Sequence, residues 1–283
     1  MIRDEIINRA IDYIIEHIEE EISIEAVAGH CGYSKYHFSR KFKEEMGENL
    51  YAFVKRLKMN QSAIRLQLEK GRSVTDIGLD YGYDASNFSA VFKKQHKQPP
   101  ARYRKDADGA YFPSPYYQDG QSVFPSYEEY NQGIAILERD ACNAVYERCV
   151  GNYIEIKDKW QVFIEKYGNF IQEDSCLLER YYDDPSVTEL EKCVYDLCAT
   201  VAPSCSVENT TIIPGGLYAV YRYAGRVEGI YNTVQGLFRN WLPDSGYTMA
   251  ARHSLNIYHA MNRQEMYVEM DICIPVKSAI IHK

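Results

Sequence analysis

The sequence lacks several features that define whole classes of protein. No apolar run approaches the roughly 18 residues that a membrane-spanning helix needs, and the first residues carry acids where a secretory signal carries bases. The eight cysteines contain no CxxC spacing, which favours reduced thiols over a disulfide framework. Glycine (17) and proline (10) are scarce in 283 residues, which argues against disorder. We therefore expect a globular, cytoplasmic protein that does not associate with membranes.

Common catalytic signatures are also missing. The sequence contains no GxSxG, no phosphate-binding loop and no HExxH. His253 and His259 are only loosely spaced from Cys273, so a metal site is the less favoured interpretation. We expect no catalytic residues, no cofactor and no metal.

The charge is distributed unevenly along the chain. A net charge of −8 argues against nucleic acid as a partner. However, residues 1–105 carry a net +3 and residues 30–105 a net +9, whereas residues 106–283 carry a net −11. The sequence therefore predicts a basic domain over 1–105 and an acidic domain over 133–283. Residues 106–132, with PSP at 113–115, have the composition of a linker.

The basic block shows a duplicated helical pattern. Serine, asparagine and glycine at capping positions predict helices over 24–31, 35–46, 50–70, 74–81 and 85–96. Each half contains a Gly-Tyr turn followed by an FxxxF spacing (Phe38 and Phe42, then Phe88 and Phe92). The long middle helix would span about 30 Å, close to the roughly 34 Å between successive major grooves. One chain would then place two recognition helices in adjacent grooves. The alternative is a helical bundle whose basic residues only solvate its surface.

Three segments of this block resemble the DNA-binding domain of AraC-family transcription regulators: GYSKYHFSRKFKEEMG (32–47), DIGLDYGYDASNFSAVFKK (76–94) and PPARYR (99–104). The resemblance implies double-stranded DNA as a partner, contacted by Lys35, Tyr36, Ser39, Arg40, Lys43, Ser86, Asn87, Lys93 and Lys94. Arginine is the commonest reader of guanine, which favours Arg40 as a base reader, and lysines of this kind meet phosphates. The second unit has Ala90 where the family often has arginine, so we expect the first unit to carry most of the sequence specificity.

The acidic block is also duplicated. With an offset of 75, Ala144-Val145-Tyr146 aligns with Ala219-Val220-Tyr221, and the segment 195–201 aligns with 270–276. The helical run 153–167 aligns with 228–242 between them. This pattern predicts two βαββ repeats over about 134–201 and 209–276.

The last strand of the second repeat carries candidate ligand-binding residues. Over 267–274 it alternates, with Val268, Met270, Ile272 and Ile274 on one face. Tyr267, Glu269 and Asp271 lie on the other face. On an arbitrary strand, such a pattern is typical of simple solvent exposure.

Several segments resemble the GyrI-like effector-binding domain: YYDDP (181–185), EKCVYDLCATV (191–201), IPGGLYAVYRYAG (213–225), WLPDSGY (241–247) and IPVK (274–277). The resemblance implies a duplicated βαββ fold and an acidic residue in an aromatic groove that binds lipophilic cations. The residues that fit are Tyr146, Tyr221, Trp241, Tyr267, Glu269 and Asp271. The sequence does not distinguish Glu269 from Asp271 as the key acid, and Tyr146 and Trp241 are equally well explained as core residues.

The order of the two parts resembles regulators of the right-origin-binding type. We expect a multidomain protein with an all-α double helix-turn-helix head and an α+β duplicated βαββ domain. The expected function is sequence-specific activation of transcription, controlled by a small effector, with RNA polymerase as a partner. The alternatives are a constitutive DNA binder that docks a protein partner and, less favoured, a GyrI-like hydrolase. Cys198 and Cys273 are equivalent in the repeats, which allows a redox sensor, although buried thiols are the simpler interpretation.

Overall fold

The structure is a computed structural model that describes residues 1–2, 4–107, 124–250, 252–262 and 264–279. The chain divides into two compact units, Ile2–Ala110 and Tyr111–Lys283. Most of the predicted linker lies outside the described residues. In the ranges that are described, no helix combines the length and apolar character needed to cross a membrane.

The first unit is helical, as predicted. Its helices are α1 (Glu5–Glu16), α2 (Ile24–His30), α3 (Lys35–Met46), α4 (Leu50–Leu68), α5 (Val74–Asp80), α6 (Ala85–His96) and α7 (Pro100–Ala107). The predicted caps are present: the Ser34 side chain accepts from the His37 N–H, and Asn49 accepts from Ala52 at 2.9 Å. Helix α4 ends at Leu68 instead of Lys70, because the backbone leaves the helical region at Glu69.

Buried phenylalanines attach the two predicted recognition helices, α3 and α6, to the rest of this unit. Phe38, Phe42, Phe88 and Phe92 are fully buried. The Phe42 ring packs edge-on against Phe53 of α4 at 5.4 Å, and the Phe92 ring packs in the same way against Tyr103 of α7 at 5.3 Å. Because the aromatic stripe faces inward, the opposite face of each helix is exposed.

The second unit combines helices with antiparallel strands, which confirms the predicted fold class. Its helices are α8 (Tyr127–Gly133), α9 (Ile156–Tyr167) and α10 (Glu228–Gly236). Its strands are β1 (Ile134–Arg139), β2 (Cys142–Val150), β3 (Leu177–Tyr181), β4 (Val194–Thr200), β5 (Thr210–Ile213), β6 (Gly216–Arg226), β7 (Tyr247–Met249), β8 (Ser254–Asn262) and β9 (Tyr267–Ser278).

The two repeats exchange their first strands within one sheet. The strand order among the described residues is β1-β6-β9-β8-β3-β4-β2-β5, with β7 added to β9. Strand β1 of the first repeat pairs with β6 of the second, and β5 of the second pairs with β2 of the first. Each repeat therefore contains the predicted βαββ order, preceded by one additional short strand. The short edge strands carry little of the alternating pattern that identifies a half-buried strand.

The strand register relates the two repeats by an approximate two-fold axis. Cys198 lies opposite Tyr146, and Cys273 lies opposite Val220. Since Cys198 and Cys273 are equivalent, Tyr146 corresponds to Val220 and not to Tyr221. The predicted alignment of Tyr146 with Tyr221 is wrong by one residue, and a one-residue shift moves a side chain to the other face of a sheet.

Helix α8 belongs to the second unit, although its composition suggested linker. Tyr130 is buried, and its ring packs edge-on against Tyr221 at 5.7 Å. The Trp241 indole N–H donates to the Asn131 side chain at 3.0 Å. Residues 127–132 therefore form part of a packed layer, because their aromatic and amide side chains have partners on the rest of the unit.

Candidate functional site

The exposed face of α3 carries the residues predicted to read DNA. The Tyr36 ring is 84% exposed, and Arg40 and Lys43 are also exposed. The Arg40 guanidinium lies 3.8 Å from the Glu44 carboxylate, a loose surface pair that a base edge can displace. Ser39 donates to the Lys35 carbonyl at 2.8 Å, and the Lys35 ammonium is 2.5 Å from Glu25. Arg40 and Tyr36 are therefore available on the exposed face of α3, because the ion pair between Arg40 and Glu44 is loose.

The exposed face of α6 differs at its first turn. Asp84 caps the helix and accepts from the backbone of Ser86 and Asn87, and from the Ser86 hydroxyl at 2.8 Å. These hydrogen bonds hold the pKa of Asp84 below its usual range, and the one from the Asn87 backbone N–H has the largest effect. A carboxylate therefore lies at this end of α6, where α3 has the neutral Ser34. Lys93 and Lys94 are exposed near the other end.

The acids predicted to bind a cation have cationic partners of their own. The Arg222 guanidinium lies 3.3 Å from Glu269 and 3.3 Å from Asp271. The His259 imidazole lies 2.9 Å from Asp271. Tyr267 is exposed beside them. These residues form a charged surface cluster and not an aromatic groove.

The three predicted aromatic walls do not meet at this cluster. Tyr146 is buried on the sheet face that carries Cys198, 5.5 Å from the Arg148 guanidinium. Tyr221 follows Val220 of that face and so points to the other side, where its ring meets α8. Trp241 is fully buried against α8. The structure therefore keeps Tyr267, Glu269 and Asp271 together on β9 and places the three predicted aromatic walls elsewhere.

The sequence reasoning missed a buried carboxylate, Glu179 on β3. It lies on the sheet face that packs on α9 and is 2% exposed. The Trp160 N–H donates to it at 3.1 Å and the Tyr258 hydroxyl at 2.5 Å, and the Tyr181 hydroxyl donates to its second oxygen. Burial raises the pKa of Glu179 despite these donors. In the described part of the chain, no lysine, arginine or histidine forms an ion pair with it.

Aromatic rings surround Glu179. Trp160 packs edge-on against Tyr258 at 5.9 Å. Tyr153 lies 5.5 Å from Tyr181 and stacks on Tyr195 at 4.3 Å. Glu179 is therefore an acid in an aromatic setting, and it lies on β3 instead of the last strand. The spacing Glu179-x-Tyr181 could have indicated this arrangement, because residues two positions apart on a strand lie on the same face.

The opposite face of β3 carries a buried ionic cluster. Asp196 is fully buried and accepts from Arg148 at 2.9 Å and from Arg180 at 2.6 Å. Although burial opposes ionisation, the two guanidinium groups hold the pKa of Asp196 well below its usual range. By the strand register, Arg148 and Asp196 correspond to Arg222 and Asp271 of the second repeat. The same ion pair is thus buried in one repeat and solvated in the other.

The remaining candidates have structural environments. His253 packs against Tyr182 at 4.5 Å, and burial lowers its pKa to about 3. The described ranges contain no group of three or more histidine, cysteine or acidic side chains arranged to hold a metal. Cys198 and Cys273 are buried, and burial raises the pKa of Cys273 to about 12. Such thiols react slowly.

Comparison with known proteins assigns a family to each unit. The family described as "GyrI-like small molecule binding domain" matches residues 133–277, about half of the chain, and a "Helix-turn-helix domain" family matches residues 27–106. The transcriptional regulator Rob of Salmonella typhimurium is 36% identical over 97 residues, which are 34% of this chain and 33% of Rob. The regulatory protein SoxS of the same species is 31% identical over 105 residues, 37% of this chain and 97% of SoxS. The chain therefore spans about a third of the length of Rob.

A solved structure also resembles part of the chain. The C-terminal domain of EcmrR is 16% identical and covers 52% of this chain and 98% of its own, with a TM-score of 0.43.

Proposed function

Because the chain belongs to the GyrI-like small-molecule-binding family and carries an AraC-type DNA-binding domain, we propose that it activates transcription in response to a cationic ligand bound beside Glu179. The head would read its operator chiefly through Arg40. RNA polymerase is the proposed partner, by the resemblance of the head to AraC-family regulators. Glu269 and Asp271 remain the second candidate for the key acid.

The environment of Glu179 supports this ligand class. An ionised carboxylate in a dry interior is costly unless a counter-charge or several donors stabilise it. Trp160, Tyr181 and Tyr258 supply neutral donors, and no cationic side chain within the described ranges pairs with Glu179, so a bound cation would supply the counter-charge. Aromatic faces attract cations by up to about 2 kcal/mol each when water is excluded. The net charge of −11 over residues 106–283 adds a favourable field for a cation.

Calorimetric titration with matched ions tests the proposal. Tetraphenylphosphonium and tetraphenylborate have nearly the same shape and opposite charge. We expect the full-length protein to bind the cation and not the anion. Glu179→Gln keeps the size of the side chain and should weaken cation binding at least tenfold, whereas Glu269→Gln and Asp271→Asn should bind as the wild type does.

Two outcomes would contradict this assignment. Equal binding of the two ions would show that charge does not select the ligand. Loss of binding in Glu269→Gln or Asp271→Asn, with Glu179→Gln unaffected, would place the site at the surface cluster on β9.

Selection of bound DNA from a random pool tests the regulatory part. We expect an enriched operator and a change in its occupancy, or in transcription from it, when tetraphenylphosphonium is added. An operator whose occupancy and transcription no cation changes would favour a constitutive binder with a protein partner.

A further inference from the structure

The sequences of the two helix-turn-helix units align with an offset of 50 residues. Ser23 and Ser73 both cap the first helix of a unit. Gly32 and Gly82 both adopt a positive φ in the turn, at 76° and 80°. Helices α3 and α6 have equal length. Equivalent positions of the two units can therefore be compared directly, one by one.

The outer faces of α3 and α6 differ most in charge. Arg40 on α3 corresponds to Ala90 on α6, which is exposed and offers no hydrogen bond to a base. Towards the helix end, the acid Glu44 corresponds to Lys94. Lys43 and Lys93 are shared. Compared with α3, helix α6 thus lacks the arginine and carries a lysine in place of an acid one turn further along.

The residue that ends α6 adds to this contrast. Helix α3 ends at Met46 and is capped by Gly47, whose φ of 70° suits glycine. Helix α6 ends at His96 and is capped by Lys97, which holds the left-handed φ of 63°. A side chain in this region is strained, because Cβ approaches the backbone. The second unit therefore carries a lysine at a position where glycine would be more stable.

The three lysines lie at the C-terminal end of α6. Lys93 and Lys94 belong to the last turn of the helix, and Lys97 follows it as the capping residue. Lys93, Lys94 and Lys97 are exposed, and none of them forms an ion pair within the described part of the chain. The Lys97 ammonium donates to the Lys94 carbonyl at 3.2 Å, a weak contact that a phosphate can replace.

We propose that Lys97, together with Lys93 and Lys94, forms a phosphate-binding anchor, and that the second unit holds DNA without reading its sequence. The inference rests on DNA binding by the head and extends it by dividing the work between the units. Phosphate contacts add affinity that depends on salt and fix register, but they carry no sequence information. The specificity for DNA sequence then comes from α3, and most of the salt dependence of the DNA affinity comes from α6.

Equilibrium binding to labelled operator and scrambled duplexes, over a series of KCl concentrations, tests this division in the full-length protein. Lys97→Gly and Lys94→Glu install the residues that α3 has at the equivalent positions. Each should reduce the slope of log K against log salt by about 0.9, the loss of one phosphate contact. The ratio of operator to scrambled affinity should stay unchanged. Lys97→Gly should also unfold at or above the wild-type temperature, so weaker binding would not reflect a damaged head.

Matched controls separate this proposal from DNA binding in general. Lys157→Glu changes an exposed residue of α9 by the same charge and should leave the slope unchanged. Arg40→Ala should lower the affinity ratio. An unchanged slope in Lys97→Gly would show that Lys97 only caps α6, and would overturn its assignment. A lower affinity ratio in Lys94→Glu would show that α6 reads bases. If the wild type prefers no duplex at all, the proposed regulatory function fails first.

Discussion

Glu179 and Asn256 lie directly opposite each other on β3 and β8, at the point where the two repeats meet. The register makes them equivalent: Leu178 lies opposite Cys198, and Leu255 lies opposite Cys273. Tyr181 and Tyr258 are equivalent by the same rule, and both donate to Glu179. The Asn256 amide donates to Tyr181 at 2.5 Å. The approximate two-fold axis thus passes between a carboxylate and an amide, and only one repeat supplies the charge.

The first prediction concerns the cost of that charge. The raised pKa of Glu179 means that the folded protein binds protons more tightly than the unfolded chain. The free energy of unfolding therefore falls as pH rises from the ordinary glutamate pKa to the raised value. Glu179→Gln should remove this decline and be more stable than the wild type at neutral pH, by about 1 kcal/mol or more.

Tryptophan fluorescence during urea unfolding measures this effect selectively. The chain has two tryptophans, Trp160 and Trp241, and both lie in the second unit, so the signal does not report the head. Glu269→Gln should retain the wild-type pH dependence through this range. A Glu179→Gln variant that is less stable at neutral pH would contradict the prediction.

The second prediction compares the equivalent ion pairs of the two repeats. Asp196→Asn leaves Arg148 and Arg180 buried without a full counter-charge and should cost about 3–5 kcal/mol. Asp271→Asn affects a solvated pair and should cost less than about 1 kcal/mol. Because the pKa of Asp196 is lowered, its stabilisation is present above the ordinary aspartate pKa and is lost as pH falls below it.

Acid titration followed by tryptophan fluorescence checks both statements. The wild type and Asp271→Asn should lose stability in parallel at low pH, whereas Asp196→Asn should be less stable at neutral pH and respond less to acid. Similar costs for the two variants would show that burial does not distinguish the pairs.

The third prediction concerns sequence specificity. Arg40→Ala should cost about 1–3 kcal/mol at the base pair that Arg40 reads and relax the preference there. Asn87→Ala should have a smaller effect, because α6 has Ala90 at the position that Arg40 occupies on α3. A panel of single-base operator variants, measured by equilibrium binding, gives both values. Equal loss of specificity from the two changes would refute the asymmetry.

The fourth prediction uses the packing of the second helix-turn-helix unit. A Cβ at Gly78 would lie 2.8 Å from the Phe88 ring, whereas a Cβ at Gly29 would meet nothing within 4 Å. Gly78→Ala should therefore push α5 away from α6 and cost about 1–3 kcal/mol. Gly29→Ala lies within α2 and should gain about 0.5–1 kcal/mol. Thermal loss of the far-ultraviolet helical signal measures both, and a stabilised Gly78→Ala would contradict the close approach.

The head could be predicted closely because its signals are local. Ser34 and Gly47 bound α3 within one short segment, and the same spacing recurs around α6. The site around Glu179 could not be predicted in this way. Its burial depends on Trp160 and Tyr258, which come from distant parts of the chain. The alignment of Tyr146 with Tyr221 was wrong for a related reason. The two tyrosines are one residue out of register, and a shift of one residue places the side chains on opposite faces of a sheet.

The exchange of first strands affects the order in which the two units can fold during synthesis. Strand β1 has no pairing partner until β6 has been made, and β9, which completes the sheet, ends at Ser278. The helices of the head are complete at Ala107. At ribosomal rates of about 5–20 residues per second, the head precedes the finished sheet by roughly ten to thirty seconds. The helical unit can therefore fold while the sheet that carries Glu179 is still incomplete.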